Sequence, residues 1–143
     1  MRDKNDLIFI VDDDDFFIEV MRQVLICEGI ENVQSFSTGN DCISALSLNP
    51  SIIFFDHELD ETSGYNTLKS IKSYNSEVFV VMMSCMEDID TTVTTLKHGA
   101  FDYIKKDENL AKKTKSLLIR INAVNHLLEQ QKSSILKSVY KYS

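Results

Sequence analysis

The residues best equipped for chemistry stand at the ends of separate apolar runs. Asp12 and Asp13 follow Ile8-Phe9-Ile10-Val11, Asp56 follows Ile52-Ile53-Phe54-Phe55, and Ser84 follows Val80-Val81-Met82-Met83; Lys106 comes three positions after Tyr103. If these ends converge, three carboxylates share one edge. Two unit charges 4 Å apart interact by roughly 4 kcal/mol at an effective dielectric of 20, so without compensation one carboxyl takes up a proton. A hard divalent cation offsets that repulsion best, and an all-oxygen site that keeps several waters suits Mg²⁺. Lys106 adds a second positive charge and Ser84 a hydroxyl donor. Together they describe a pocket for a dianionic phosphoryl group with a carboxylate nucleophile at its centre.

Convergence requires a fold that gathers those ends. Apolar runs at residues 7–11, 52–55, 78–83 and 101–104, with an alternating run at 33–36, read as strands. Continuous apolar runs suit strands covered on both faces. Between them lie helical patterns. Phe17, Val20, Met21, Val24 and Leu25 repeat at helical spacing before Gly29, and a second segment over 41–48 halts before Pro50. A third helix is predicted over 65–74, with Leu68 and Ile71 on one side. A fourth covers 88–98, where Ile89, Val93 and Leu96 align and Gly99 supplies the cap; a fifth begins near Asn109. Asp14 and Asp15 fit a helix N-cap and a first-turn acid.

This βα alternation, five times over, predicts an α/β fold. It is a doubly wound parallel sheet with helices on both faces and right-handed crossovers. Ligands of such sheets gather outside the carboxyl ends of the strands, where strand order reverses. That is where the acids would meet. One fold unit accounts for residues 1 to about 122. The final segment is longer than the sheet needs: as one helix, residues 109–139 extend about 46 Å. Ile121, Val124, Leu128 and Ile135 form a partial heptad stripe broken by Gln131. Residues 123–143 are therefore expected to extend the last helix, as a solvated end, a linker or a dimerisation segment.

Composition narrows the function classes. The chain has 143 residues, 43% hydrophobic and 26% charged, with a formal net charge of −7, which disfavours coating of nucleic acid or of anionic membrane. Residues 1–104 hold 6 Lys and Arg against 19 Asp and Glu, whereas residues 105–143 hold 9 against 3, so an acidic body carries a basic tail. Cys27, Cys42 and Cys85 have no Cys-x-x-Cys spacing, which fits a reducing cytosol better than a disulfide framework or a zinc site. The apolar run 7–11 is too short for a secretory signal and no stretch approaches a membrane span. A cytoplasmic location is expected.

The motifs resemble the receiver domain of two-component response regulators. They are Ile8-Phe9-Ile10-Val11-Asp12-Asp13; Ile52-Ile53-Phe54-Phe55-Asp56 with Leu59 and Gly64; Val80-Val81-Met82-Met83-Ser84; and Gly99-Ala100-Phe101-Asp102-Tyr103-Ile104-Lys105-Lys106. The resemblance covers residues 6 to about 122. It implies the flavodoxin-like strand order 2-1-3-4-5, with Asp56 as phospho-acceptor from the phosphohistidine of a sensor kinase or phosphotransfer protein. Asp13, Asp56 and the backbone carbonyl of Glu58 would ligate Mg²⁺, and Asp12 would hold the metal directly or through water. Ser84 would hydrogen-bond the phosphoryl group, and Tyr103 would turn inward as Ser84 moves, altering the surface of the fourth helix, fifth strand and fifth helix. Such a domain catalyses its own aspartyl phosphorylation and dephosphorylation while serving mainly as a switch. The long last helix resembles the link from receiver to output domain in larger transcriptional regulators. An output domain beyond residue 143 and a homodimer through that helix both follow as expectations.

The site lysine of the family lies three positions after the switch aromatic. That selects Lys106, and strand alternation agrees, since Lys105 shares the face of Tyr103; Lys105 is the alternative. This chain departs from the family at Asp107 and Asp60, where prolines are common, and at Cys85, where a small alanine is usual. The cis bond that usually precedes Pro would cost roughly 2.5–4 kcal/mol before Asp107, so trans geometry or visible strain is expected there. Cys85 reads as a buried small hydrophobe, Met82 and Met83 as sheet core, and Tyr103 has packing as its plainer role. His57, His98 and His126 lack ligand spacing and read as surface residues, with His57 beside Asp56 able to line the site mouth. Two rival functions remain to be weighed. One is a non-catalytic interaction module that signals without phosphate. The other is a haloacid-dehalogenase-type phosphatase using Asp12 as nucleophile, for which Phe16 replaces the expected Thr or Val.

Overall fold

The computed structural model describes residues 6–60, 65–86 and 88–141. Five parallel strands, β1 (Ile8–Val11), β2 (Val33–Phe36), β3 (Ile52–Asp56), β4 (Phe79–Ser84) and β5 (Asp102–Lys105), form one sheet in the order β2-β1-β3-β4-β5. The helices are α1 (Asp15–Cys27), α2 (Gly39–Ser44), α3 (Asn66–Tyr74), α4 (Ile89–Lys97) and α5 (Leu110–Lys141). The doubly wound fold and its strand order are those expected.

Strand alternation divides the core into two layers. Ile8, Ile10, Ile52, Phe54, Val81 and Met83 face a layer closed by α1 and α5 through Met21, Leu25, Leu117 and Ile121. Phe9, Val11, Ile53, Phe55, Val80 and Met82 face the opposite layer with Cys42, Leu68 and Ile71. β1, β3 and β4 are buried along their whole length, which is why their sequences read as unbroken apolar runs. Met82 and Met83 are core, as expected.

Local chemistry sets the helix ends. The Asp14 carboxylate accepts from the Phe16 and Phe17 amides at the start of α1, and Gly29 follows the helix with φ 81, the left-handed position that glycine fills without a Cβ penalty. Asp88 caps α4 and Gly99, with φ 107, ends it. The second helix differs from expectation. Thr38 caps α2 three residues before Asp41, and the α-helix stops at Ser44; a 3₁₀ turn then spans Leu46–Leu48 and Asn49 adopts φ 60. Pro50 forbids continuation, and the tighter turn brings the chain onto β3.

The face that α4 turns inward is decided by packing. Ile89, Val93 and Leu96, the aligned apolar set, are exposed, and Thr95 is the buried residue of the helix. Its hydroxyl donates to the Thr91 carbonyl at 2.8 Å, which satisfies the hydroxyl inside the helix and makes a threonine tolerable there. The apolar stripe therefore points outward. α5 is one continuous helix of 32 residues. Its buried positions end at Ile121, whereas Leu128 and Ile135 are exposed. Beyond the sheet, Lys132 pairs with Glu77 at 2.9 Å. Among the described residues no helix is long and apolar enough to cross a membrane.

Candidate functional site

Register alone brings the carboxylates level. Val11 pairs with Phe55 across β1 and β3, so Asp12 and Asp56, the next residues, stand side by side at the carboxyl ends of the two strands. Asp56 pairs with Met83 and Ser84 pairs with Lys105, which brings β4 and β5 to the same edge. Lys106 is fixed just past β5 by its amide, which donates to the Ser84 carbonyl at 2.8 Å.

Asp12, Asp13 and Asp56 each offer a carboxylate oxygen within 4.8 Å of the others. Asp12 is fully buried, Asp56 is 3% exposed, and Asp13 faces solvent. The Lys106 ammonium bridges the two buried acids, at 2.7 Å from Asp12 Oδ2 and 3.6 Å from Asp56 Oδ1. It also lies 4.3 Å from the centre of the Phe17 ring, a cation–π contact that holds the flexible stem over α1. Asp12 Oδ1 accepts from the Asp14 amide at 2.9 Å, and Asp56 Oδ1 accepts from the Glu58 amide at 3.1 Å. The latter belongs to a short 3₁₀ turn, His57–Leu59, that sequence reasoning missed.

Lys106, not Lys105, therefore joins the acids. Strand alternation is the physical reason: Lys105 is paired within the strand beside Ser84, and the next residue turns across the edge. No cis peptide occurs among the described residues, so Lys106–Asp107 is trans. Asp107 instead pairs with Lys113 of α5 at 3.0 Å and accepts from the Asn109 amide. Ser84 is buried, with its Oγ accepting from the Met86 amide at 3.1 Å. The Tyr103 ring is 8% exposed and points inward, its hydroxyl donating to the Met86 carbonyl at 3.3 Å.

Electrostatics follow from this geometry. Burial raises the Asp56 pKa above its ordinary 3.8; the Lys106 charge lowers it, the Asp12 charge raises it, and the Glu58 amide and carboxylate act in opposite senses. The result is about 6. Burial works against the Lys106 ammonium, but the Asp12 hydrogen bond and the Asp56 and Asp12 charges more than offset it, and its pKa is raised. One carboxyl is thus held with a raised pKa beside a fixed cation, as burial and a neighbouring acid dictate. The donors are all oxygen and partly open to solvent through Asp13, a set that suits a hard divalent cation.

Two residues stand elsewhere than expected, and a third has a role the sequence does not announce. Cys85 is exposed, because β4 ends at Ser84 and the next residue has already left the sheet. His57 is only 6% exposed; it opens the 3₁₀ turn after β3, and its ring packs between Tyr65 and Tyr103 instead of lining the site mouth. Asp60, at the position of the usual proline, is fully buried and caps α3, accepting from the Thr67 amide at 3.0 Å and the Leu68 amide at 3.1 Å. No sequence signal pointed to that cap, since it reaches across the loop instead of preceding the helix. Gly64, part of the family motif, lies outside the described residues.

Comparison with known proteins meets the same pattern. A family model of the response regulator receiver domain matches residues 8–117. The DNA-binding transcriptional regulator NtrC of Salmonella typhimurium strain LT2 is 29% identical over 126 residues, 87% of this chain and 26% of that protein. The transcriptional regulatory protein CssR of Bacillus subtilis strain 168 is 31% identical over 140 residues, 94% of this chain and 60% of that protein. The chain thus spans about a quarter of the length of NtrC and less than two thirds of CssR. A crystal structure of NtrX from Brucella abortus, in complex with ADP, superposes with a TM-score of 0.78 at 26% identity, covering 89% of this chain and 28% of that one. With its βα order, its gathered strand ends and a match along most of its length, the chain belongs to the response regulator receiver domain family.

Proposed function

We propose that Asp56 is the phospho-acceptor of this receiver domain. The observation that carries the reading is the convergence of Asp12, Asp13 and Asp56 within 4.8 Å, with Lys106 bridging Asp12 and Asp56. A carboxylate oxygen of Asp56 forms an O–P bond to the phosphohistidine of a sensor kinase or phosphotransfer protein. The P–N bond breaks, its electron pair returns to the imidazole, and the donor histidine is regenerated. Lys106 supplies a fixed positive charge beside the incoming phosphoryl oxygens. Ser84, at the end of β4, offers its hydroxyl to the new group. The same chemistry run with water returns the free carboxylate, so the domain catalyses both halves of its own cycle.

Mg²⁺ fits the donors present: Asp13 and Asp56 would hold it together with the Glu58 backbone carbonyl, and Asp12 would hold it directly or through water. When bound, it supplies the positive charge that lets both buried acids ionise and offsets the phosphoryl dianion. Asp12 is less suited to be a nucleophile itself, because it is fully buried and its Oδ2 is engaged by Lys106. That weighs against the phosphatase alternative.

The signal then passes to the α4-β5-α5 surface. Support comes from the outward apolar stripe of Ile89, Val93 and Leu96 on α4, which has no role in the core, and from Tyr103, whose hydroxyl is tied to the segment after β4. Residues 1–122 act as the receiver and 123–143 as a linker or dimerisation segment, with an output domain following as in the longer relatives. The domain works in the cytoplasm with no direct nucleic-acid contact of its own. The test is mass spectrometry after incubation with acetyl phosphate and Mg²⁺. A single adduct on Asp56, absent in Asp56→Asn and after chelation, is expected. An adduct that persists on Asp12 in Asp56→Asn would favour the phosphatase chemistry, and no adduct at all a module that signals without phosphate.

A further inference from the structure

His57 directly follows the proposed acceptor, yet its ring belongs to a different cluster. It meets Tyr103 edge-on, with centroids 5.5 Å apart at 65°, and tilts against Tyr65 at 5.6 Å. Tyr65 in turn meets His98 at 4.9 Å and 78°. Four rings, from β5, the turn after β3, the start of α3 and the C-terminal cap of α4, thus form a continuous row. Tyr103 closes it by donating to the Met86 carbonyl in the segment after β4.

Two features show that the row constrains its members. His57 Nε2 lies 3.4 Å from the Tyr65 hydroxyl, and the rings of both Tyr65 and Tyr103 pack against this buried imidazole. Tyr65 has φ 67, a region that bulky residues rarely enter. Such backbone geometry persists where the surroundings over-determine it, and both His57 and His98 contact the Tyr65 ring.

We propose that His57 is a positioning residue for Tyr103: its ring, braced by Tyr65 and His98, holds the Tyr103 side chain inward before any phosphoryl group is present. The consequence is a switch residue already weighted towards one position, set by the residue adjacent to the acceptor. The inference rests on the receiver reading only in taking Tyr103 as the moving part. Removing one edge-on ring pair is expected to shift a two-position equilibrium by roughly two- to tenfold.

The full chain, labelled with 3-fluorotyrosine and kept in EDTA without phosphodonor, tests this by ¹⁹F NMR. The Tyr103 resonance is assigned by its loss in Tyr103→Phe, and its solvent isotope shift between H₂O and D₂O reads ring exposure. Wild type is expected to show a protected ring. His57→Leu is expected to lower the inward-to-outward ratio two- to tenfold, and His57→Phe, which keeps a ring, to retain the wild-type value. His57→Gln, polar but without a ring, carries the same expectation as leucine should the leucine variant not fold. Unchanged Tyr103 exposure in both the leucine and glutamine variants overturns the proposal. The acetyl phosphate experiment is scored separately. An adduct on Asp56 with an unmoved Tyr103 resonance overturns the His57 role alone; a moved resonance without any adduct supports it and overturns the acceptor reading.

Discussion

Asparagine at position 56 keeps the shape of the side chain and removes the charge that the site holds at greatest cost. The Asp56 carboxyl is raised from 3.8 to about 6, chiefly by burial and against the pull of Lys106. At roughly 1.4 kcal/mol for each tenfold change, ionised Asp56 costs the metal-free folded state about 3 kcal/mol. The sign is set by which state binds protons more tightly. Because the folded-state pKa lies above the unfolded one, the folded chain holds the proton longer, and stability falls as pH rises from about 4 to about 6. Below that window both states are protonated and the penalty vanishes; above it the penalty is complete. Asp56→Asn should therefore be more stable than wild type by up to about 3 kcal/mol at pH 8 in EDTA, or close to 10 °C for a domain of this size. At pH 4 the two should nearly coincide. Mg²⁺ binding to the folded state alone should raise wild-type stability and narrow the gap at pH 8, with a smaller effect on the variant. Urea and thermal unfolding followed by far-UV circular dichroism across pH 4–8, with EDTA or Mg²⁺, measure all of this. A wild type as stable as Asp56→Asn at pH 8 in EDTA, or a gap that does not close at low pH, would refute the electrostatic account.

Two more substitutions probe neighbouring parts of the site. Lys106→Met leaves fully buried Asp12 without its 2.7 Å partner; it should cost about 3 kcal/mol in metal-free urea unfolding at pH 7 and sharply slow acetyl phosphate labelling, whereas Lys105→Met should do neither. Asp60→Ala removes the acceptor of the Thr67 and Leu68 amides and should lower stability by about 1–2 kcal/mol, with faster amide exchange confined to the first turn of α3.

The fold and the acidic triad were legible in the chain because both rest on short-range rules. Continuous apolar runs such as Ile52–Asp56 announce strands covered on both faces, and β strands of one parallel sheet must present their carboxyl ends together. A polar residue ending each run is then enough to place Asp12, Asp56, Ser84 and Lys106 at one edge. Alternation even separated Lys106 from Lys105, since it depends only on the two-residue period of a strand.

Contacts between residues distant in sequence were decided by packing alone. Asp60 looks like a poor substitute for proline until the loop folds back and presents the first amides of α3 to it. His57 looks like a surface histidine until the 3₁₀ turn aims its ring at Tyr103, 46 positions later in the chain. The α4 stripe is legible as an aligned apolar face, yet Thr95 is the inward residue, because periodicity marks that a face is apolar and not which way it points. The Asp56 pKa shares that origin, since desolvation and the Lys106 and Asp12 charges exist only once three strands and a loop have closed around it. Residue types and their spacing determined what chemistry this chain can hold; how tightly the charges are coupled, and what Tyr103 leans on, arise from side chains that only the folded sheet brings within reach of one another.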